Sequence, residues 1–272
     1  MLKETAVELK SNIFNLCVFT VLISWLLLTG CSSIVTQNIN LKYGNPSQAN
    51  SNENNYLIVK PEYALSYNCS TGIANWASWQ LDRSWLGSTD RSDNFMPNPE
   101  LPADCYAVRP SDYSGSGYDR GHLVPSGDRT NSQTANENTF IMTNIIPQSP
   151  SNNREVWREL EEYSRELAEE GKELYLVAGG EGIARKIAES QVVVPEYTWK
   201  VILILDDPGS EITSENAKTL AVWIPNSEEV VNTKWQDYIL SVDQVEDKTG
   251  YNFFADLPKK IQGQIEKAIA SF

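Results

Sequence analysis

Tyr118-Asp119-Arg120-Gly121-His122 is the stretch on which the reading of this chain turns. It contains the one histidine in 272 residues. Imidazole has its ordinary pKa near neutrality, so it can take and return a proton at working pH. Taken alone, a lone histidine is most often a plain surface or core residue. Here Asp119 and Arg120 stand beside it, and that changes the reading. Breaking a phosphodiester needs a base for the attacking water, positive charge on the scissile phosphate and help for the departing oxygen. Gly121 is expected to let the backbone approach a metal or phosphate closely. One histidine cannot build a multi-histidine metal site. A Ser-His-Asp hydrolase would also have to use His122, and no G-x-S-x-G context accompanies it.

About 30 residues further on, the pattern predicts a long helix over 152–170, with Val156, Leu160 and Leu167 facing a core and Gly171 ending it. Asn153, Trp157, Glu161 and Arg165 follow at four-residue steps, so they form one slowly drifting stripe. An amide, a carboxylate and a guanidinium on one face can serve a metal ion and its phosphate. The plainer alternative is a core tryptophan with an exposed Glu161–Arg165 ion pair. Between Pro61 and Gly171 there is no lysine, yet there are eight arginines: Arg83, Arg91, Arg109, Arg120, Arg129, Arg154, Arg158 and Arg165. The guanidinium fork matches phosphate oxygens.

Around this centre, strands are expected at 56–59, 173–177, 191–194, 199–205 and 219–224, an ordered segment at 74–81 and a short helix at 262–272. The order lacks regular βαβ alternation, which favours an α+β fold. No period of 20–50 residues repeats. The net charge is −14 and stays so without residues 1–31, which carry two lysines and two glutamates. That excludes a protein coating nucleic acid through bulk charge, but not one with a positive field held in a cleft.

The N-terminus reads as an export signal. Lys3 and Lys10 precede an apolar run from Ile13 to Leu28 that ends in Leu28-Thr29-Gly30-Cys31-Ser32-Ser33. Small residues before a cysteine resemble the bacterial lipoprotein box, so Cys31 is the expected lipid anchor. Ordinary cleavage nearby is the alternative. The expected organisation is a signal at 1–31, a flexible linker at 32–55 and one domain over 56–272. The protein is expected to be exported: extracellular, periplasmic or membrane-anchored through a lipidated Cys31. Of four cysteines, only Cys69 and Cys105 lie beyond the leader. They can pair or stay as thiols. No Cys/His spacing suggests zinc.

The same residues resemble a known family. Asp119-Arg120-Gly121-His122 looks like the motif of the DNA/RNA non-specific endonucleases. These are the ββα-metal nucleases, which include mitochondrial endonuclease G and secreted bacterial enzymes. The likeness continues through Thr143-Asn144-Ile145-Ile146-Pro147-Gln148 and through Asn152 to Glu161. Upstream, residues 74–81 and 90–95 also fit. It spans 63–254 and is strongest toward the sugar-non-specific nucleases of cyanobacteria. It implies a ββα-metal nuclease fold, a central mainly antiparallel sheet flanked by helices.

It also implies a metal-dependent endonuclease acting on DNA and RNA without marked sequence preference and leaving 5′-phosphates. His122 would be the general base. Asn153 would be the one direct protein ligand of a divalent ion, Mg²⁺ or Mn²⁺. Asp119 and Glu161 would hold the waters around that ion, Arg91 would stabilise transition-state charge, and Arg120 and Arg165 would support the phosphate. A non-catalytic surface lipoprotein on the same scaffold, binding nucleic acid or a partner protein, stays open as the alternative. No protein inhibitor can be named from these residues.

Overall fold

The computed structural model describes residues 38–270. The leader 1–31, its apolar run and Cys31 lie outside the described residues. From Ile39 the chain forms one unit. Its strands are β1 (Tyr56–Val59), β2 (Ala64–Asn68), β3 (Ile73–Leu81), β4 (Asp119–His122), β5 (Ile145–Gln148), β6 (Glu173–Glu181), β7 (Arg185–Ile187), β8 (Val192–Val194), β9 (Tyr197–Leu205), β10 (Ala217–Pro225) and β11 (Ile239–Leu240). Its α-helices are α1 (Gln133–Asn138), α2 (Trp157–Glu169), α3 (Val242–Thr249) and α4 (Lys259–Ile265). Seven strands make one sheet in the order β1-β2-β3-β6-β9-β10-β11, with every neighbouring pair antiparallel. The expected α+β arrangement around an antiparallel sheet is what forms.

Side chains alternate across a strand, so the sheet has two different faces. On β3, Trp79 points to one face and donates its indole N–H to Asp128 Oδ2 at 2.9 Å. Leu174, Leu176 and Ala178 of β6 and Ile202 and Ile204 of β9 join that face's core, together with Trp157 and Leu160 of α2. On the other face, Ser78 donates to the Asn40 carbonyl at 2.6 Å, and Trp76 Nε1 donates to Ser47 Oγ at 2.8 Å.

Those contacts correct the expectation of a flexible linker over 32–55. Its described part is folded against the sheet, with Leu41 and Ala49 buried. The Asn- and Ser-rich composition serves turn chemistry rather than solvation. Asn45 Oδ1 accepts from the Ala49 N–H at 2.8 Å, and Asn52 Oδ1 accepts from the Asn54 N–H at 2.9 Å.

Helix α2 is entered through a π-turn over Asn152–Val156, where the Trp157 N–H reaches the Asn152 carbonyl. It buries Trp157, Leu160, Ser164, Leu167 and Ala168. It ends at Gly171, whose φ is +96°. There the Lys172 N–H meets the Leu167 carbonyl and the Gly171 N–H meets the Ala168 carbonyl, the paired closure that glycine permits. The C-terminal helix forms over Lys259–Ile265, earlier than the expected 262–272.

Cys69 and Cys105 form a disulfide, with Cα atoms 5.0 Å apart. It ties the end of β2 to the long loop that leads into β4.

Candidate active site

β4 and β5 pair away from the main sheet, with Asp119 opposite Gln148 and His122 opposite Ile145. The chain then turns into α2, so two short strands and a helix carry every residue of the motif. β5 is fastened by buried amides. Gln148 Nε2 donates to Asn152 Oδ1 at 2.8 Å, and Asn152 Nδ2 donates to Thr198 Oγ1 at 2.9 Å. Asn144 accepts from the Val124 N–H at 3.0 Å and donates to the Val124 carbonyl at 2.9 Å, fixing the chain just after His122. Gly121 has a role other than the expected one. A Cβ there would run into the Gln148 side chain, so the glycine admits a buried neighbour rather than a metal or phosphate.

A groove of about 580 Å³ is lined by Arg91, Arg120, His122, Asn153, Glu161 and Arg165. These are six of the seven residues expected from sequence. The seventh, Asp119, lines an adjoining recess of about 350 Å³ that shares Arg91, Arg120, Asn153 and Arg154 with the groove. Alternation along β4 puts Arg120 and His122 on one face and Asp119 on the other, and the Arg120 side chain borders both spaces.

His122 is 8% exposed, and its Nε2 has no hydrogen-bond partner. Its ring packs edge-on to Phe140, with centroids 4.9 Å apart, and lies 5.5 Å from Phe95. Burial, helped by the charges of Arg91 and Arg120, pushes its pKa down to about 3. The ring is therefore neutral at working pH, in the proton-accepting form. The same phenylalanines hold the arginines: Arg91 sits 4.8 Å over Phe140 and Arg120 sits 4.4 Å over Phe95. Phe140 carried no sequence signal. Phe95 lay in a matching segment, but nothing there indicated stacking.

Asn153 donates its Nδ2 hydrogen to Asp119 Oδ2 at 3.0 Å. This orients the amide and leaves its Oδ1 without a hydrogen bond among the described residues. Arg154 grips the same carboxylate with two bonds, Nε to Oδ2 at 2.7 Å and Nη2 to Oδ1 at 2.6 Å. Partial burial pushes the Asp119 pKa up, but the bonds from Arg154 and Asn153 outweigh it and hold the group below the usual range. The oriented amide oxygen, with the Asp119 and Glu161 carboxylates nearby, fits one hard divalent ion that keeps most of its water. Among the described residues, the one three-carboxylate cluster is Asp243, Glu246 and Glu266, which shares no residue with the groove.

The π-turn modifies the expected stripe. It puts an extra residue into the turn between Asn153 and Trp157, and Trp157 is buried while Asn153 is half-buried in the groove. Glu161 and Arg165 do not pair with each other. Arg165 Nη1 instead meets Asp128 Oδ1 at 3.0 Å. Burial pushes the Glu161 carboxyl up to about 7, and Asp128 adds to this, while Lys200, Arg165 and Arg91 pull it down.

The eight arginines divide by structure. Arg91, Arg120, Arg154, Arg158 and Arg165 line the groove. Arg129 is buried and structural, donating to the carbonyls of Glu62, Asp128 and Gln80. Arg154 and Arg158 were not singled out from sequence, and neither was Asp128, which the fold ties to Arg165 and to Trp79.

The family model for DNA/RNA non-specific endonucleases matches residues 41–260. A nuclease from Nostoc sp. is 48% identical over 259 residues, covering 89% of this chain and 94% of that protein. The human mitochondrial nuclease EXOG is 31% identical over 72% of this chain, which spans 56% of that protein's length. The solved EndoG/EndoGI complex shares the fold, with a TM-score of 0.69 and 24% identity over 81% of this chain and 92% of that one. The groove thus belongs to a ββα-metal nuclease fold, and the chain is a member of the DNA/RNA non-specific endonuclease family.

Proposed function

We propose that this protein is an exported, divalent-ion-dependent endonuclease that cuts DNA and RNA without marked sequence preference. The observation that carries the reading is the unpaired, neutral His122 Nε2 in a groove lined by Asn153 and five arginines. His122 takes the proton of the attacking water. Its depressed basicity is raised in part by the substrate itself. Burial is the main cause of the low imidazole pKa, and a phosphate seated between Arg91 and Arg120 would offset the further lowering that these two charges add.

Asn153 would hold the ion through Oδ1, with Mg²⁺ and Mn²⁺ as the expected ions. When bound, such an ion polarises the phosphoryl oxygen and eases departure of the 3′-oxygen, leaving a 5′-phosphate. Asp119 fixes the Asn153 amide, and Glu161, in the same groove, would hold water of the ion's shell. Arg91, Arg120 and Arg165 stabilise phosphate charge. Contacts to phosphate rather than base edges carry no sequence information. The acidity of the whole chain and the five-arginine groove together confine the positive field to the site.

Export rests on the leader, and lipidation of Cys31 would keep the enzyme at a membrane surface. The test is digestion of plasmid DNA and of RNA by pure mature protein with Mg²⁺ or Mn²⁺ against EDTA. Cleavage with an ion and none with EDTA is expected. No cleavage under any divalent ion would sink the reading.

A further inference from the structure

Strand β9 carries one charge in an otherwise apolar core run, Lys200, between Trp199 and Val201. Its side chain is 1% exposed and its Nζ has no hydrogen-bond partner. The ammonium lies 4.2 Å from the ring centre of Trp157 and 5.6 Å from that of Trp79. Its neighbours across the sheet are Ala178 of β6 and Val222 of β10, and neither offers a counter-charge. Burying an ammonium this way is costly unless charge nearby compensates it. Two indole faces return part of that cost.

The compensating charge comes from the floor of the groove. Trp157 stands one turn before Glu161 on α2. Trp79 hydrogen-bonds Asp128, which in turn holds Arg165. Through the two tryptophans Lys200 is thus linked to the surroundings of two carboxylates, Glu161 and Asp128, and one further cation, Arg165, all of which act on it electrostatically. Arg91 faces Glu161 from the loop before β4. Together these are the charged groups that act on Glu161 from every element packed against it.

We propose that Lys200 is a positioning residue of the cleavage site: sealed beneath α2, it supplies positive charge that favours the ionised form of Glu161, the form able to order water at the ion. It acts through Glu161 and touches no substrate. The electrostatics agree in direction. Burial pulls the Lys200 pKa down while Glu161 and Asp128 raise it, and Lys200 is the largest influence lowering that of Glu161. The charge that acts most on Glu161 is thus a buried one, set apart from the arginines that line the groove. The proposal rests on the nuclease reading only in what Glu161 does once ionised.

The test compares wild type with Lys200→Met, which keeps the packing between the tryptophans, and Lys200→Arg, which keeps the charge. In ion-free full-length protein, the Glu161 carboxyl carbon is followed by ¹³C NMR from pH 5 to 9. Lys200→Met is expected to raise the Glu161 midpoint by about one unit, equivalent to tenfold. Lys200→Arg should restore it. Mn²⁺ affinity at pH 7 should fall several-fold in Lys200→Met, and not fall further when Lys200→Met is added to Glu161→Gln. An unmoved Glu161 midpoint in folded Lys200→Met, or a midpoint in folded Lys200→Arg raised as far as in Lys200→Met, overturns the proposal. If the midpoint moves while Glu161→Gln binds Mn²⁺ like wild type, Lys200 does set the charge of Glu161 and the role assigned to Glu161 in the nuclease reading is what fails.

Discussion

The Asn153 side chain gives its amide hydrogen to Asp119 Oδ2 at 3.0 Å, and that one bond decides which end of the amide faces the groove. The oxygen is presented and the nitrogen is not. Asn153→Ala should therefore weaken divalent-ion binding at least tenfold. Asp119→Asn, which loses the fixing charge but keeps the shape, should weaken it by about 10- to 100-fold. Mn²⁺ titration of ion-free protein measures both. Unchanged affinity in Asn153→Ala would remove the ligand assignment.

His122→Ala should lower kcat by at least about 10²-fold, the usual contribution of a positioned base. Nucleic-acid binding should persist, because the arginines remain. Retention of more than about a tenth of the activity would be too much for the role of base assigned to it.

Burial of neutral His122 also makes a prediction about stability. Its pKa falls from the usual 6.5 to about 3 in the folded chain, so the unfolded chain binds the proton first. This contribution is intact above about pH 6.5 and is lost as the pH falls toward 3. Glu161 has the opposite sign. Its raised pKa favours the folded chain at low pH and loses that advantage between 4.5 and about 7. His122→Gln should therefore show a smaller drop in Tm from pH 7 to pH 4.5 than wild type. Equal drops would mean that the histidine is not buried neutral.

Gly121→Ala should cost about 1–3 kcal/mol of stability, since its Cβ meets the buried Gln148 side chain and the packing must shift. The damage should reach activity as well, because Gln148 anchors Asn152 at the mouth of α2. Urea unfolding of the variant measures the first effect and cleavage kinetics the second.

Reducing the Cys69–Cys105 bridge, which closes a separation of 36 residues, should cost about 3–4 kcal/mol through the freed unfolded chain. Most of the groove residues lie on β4, the π-turn and α2 rather than on the bridged loop, so kcat at low temperature should change little. A folded chain of unchanged Tm after reduction would show that the bridge contributes nothing.

Much of the fold was legible in short windows. The 201–205 run of branched and aliphatic residues suited a buried strand, and the 3.6-residue spacing of Val156, Leu160 and Leu167 marked the helix. The motif strands β4 and β5 were not legible as strands. Each is four residues long, and one is built of Asp, Arg, Gly and His, which alternation cannot identify. Residues 39–55 were misread because asparagine and serine favour both loops and linkers. Only the contacts of Asn40 and Ser47 with β3 tell the two apart.

The residue order by itself determined the chemistry available to this protein: one histidine beside a carboxylate and an arginine, an amide at the head of a helix, and arginine as the sole cation across that region. These are local facts of spacing and residue type. Tertiary structure alone decided which five of eight arginines face the groove, that Asp128 rather than Glu161 holds Arg165, and that Lys200 is buried against Trp79 and Trp157. It also decided that His122 is neutral. Burial and electric field are set by groups far apart in the chain, and residue order does not state those distances.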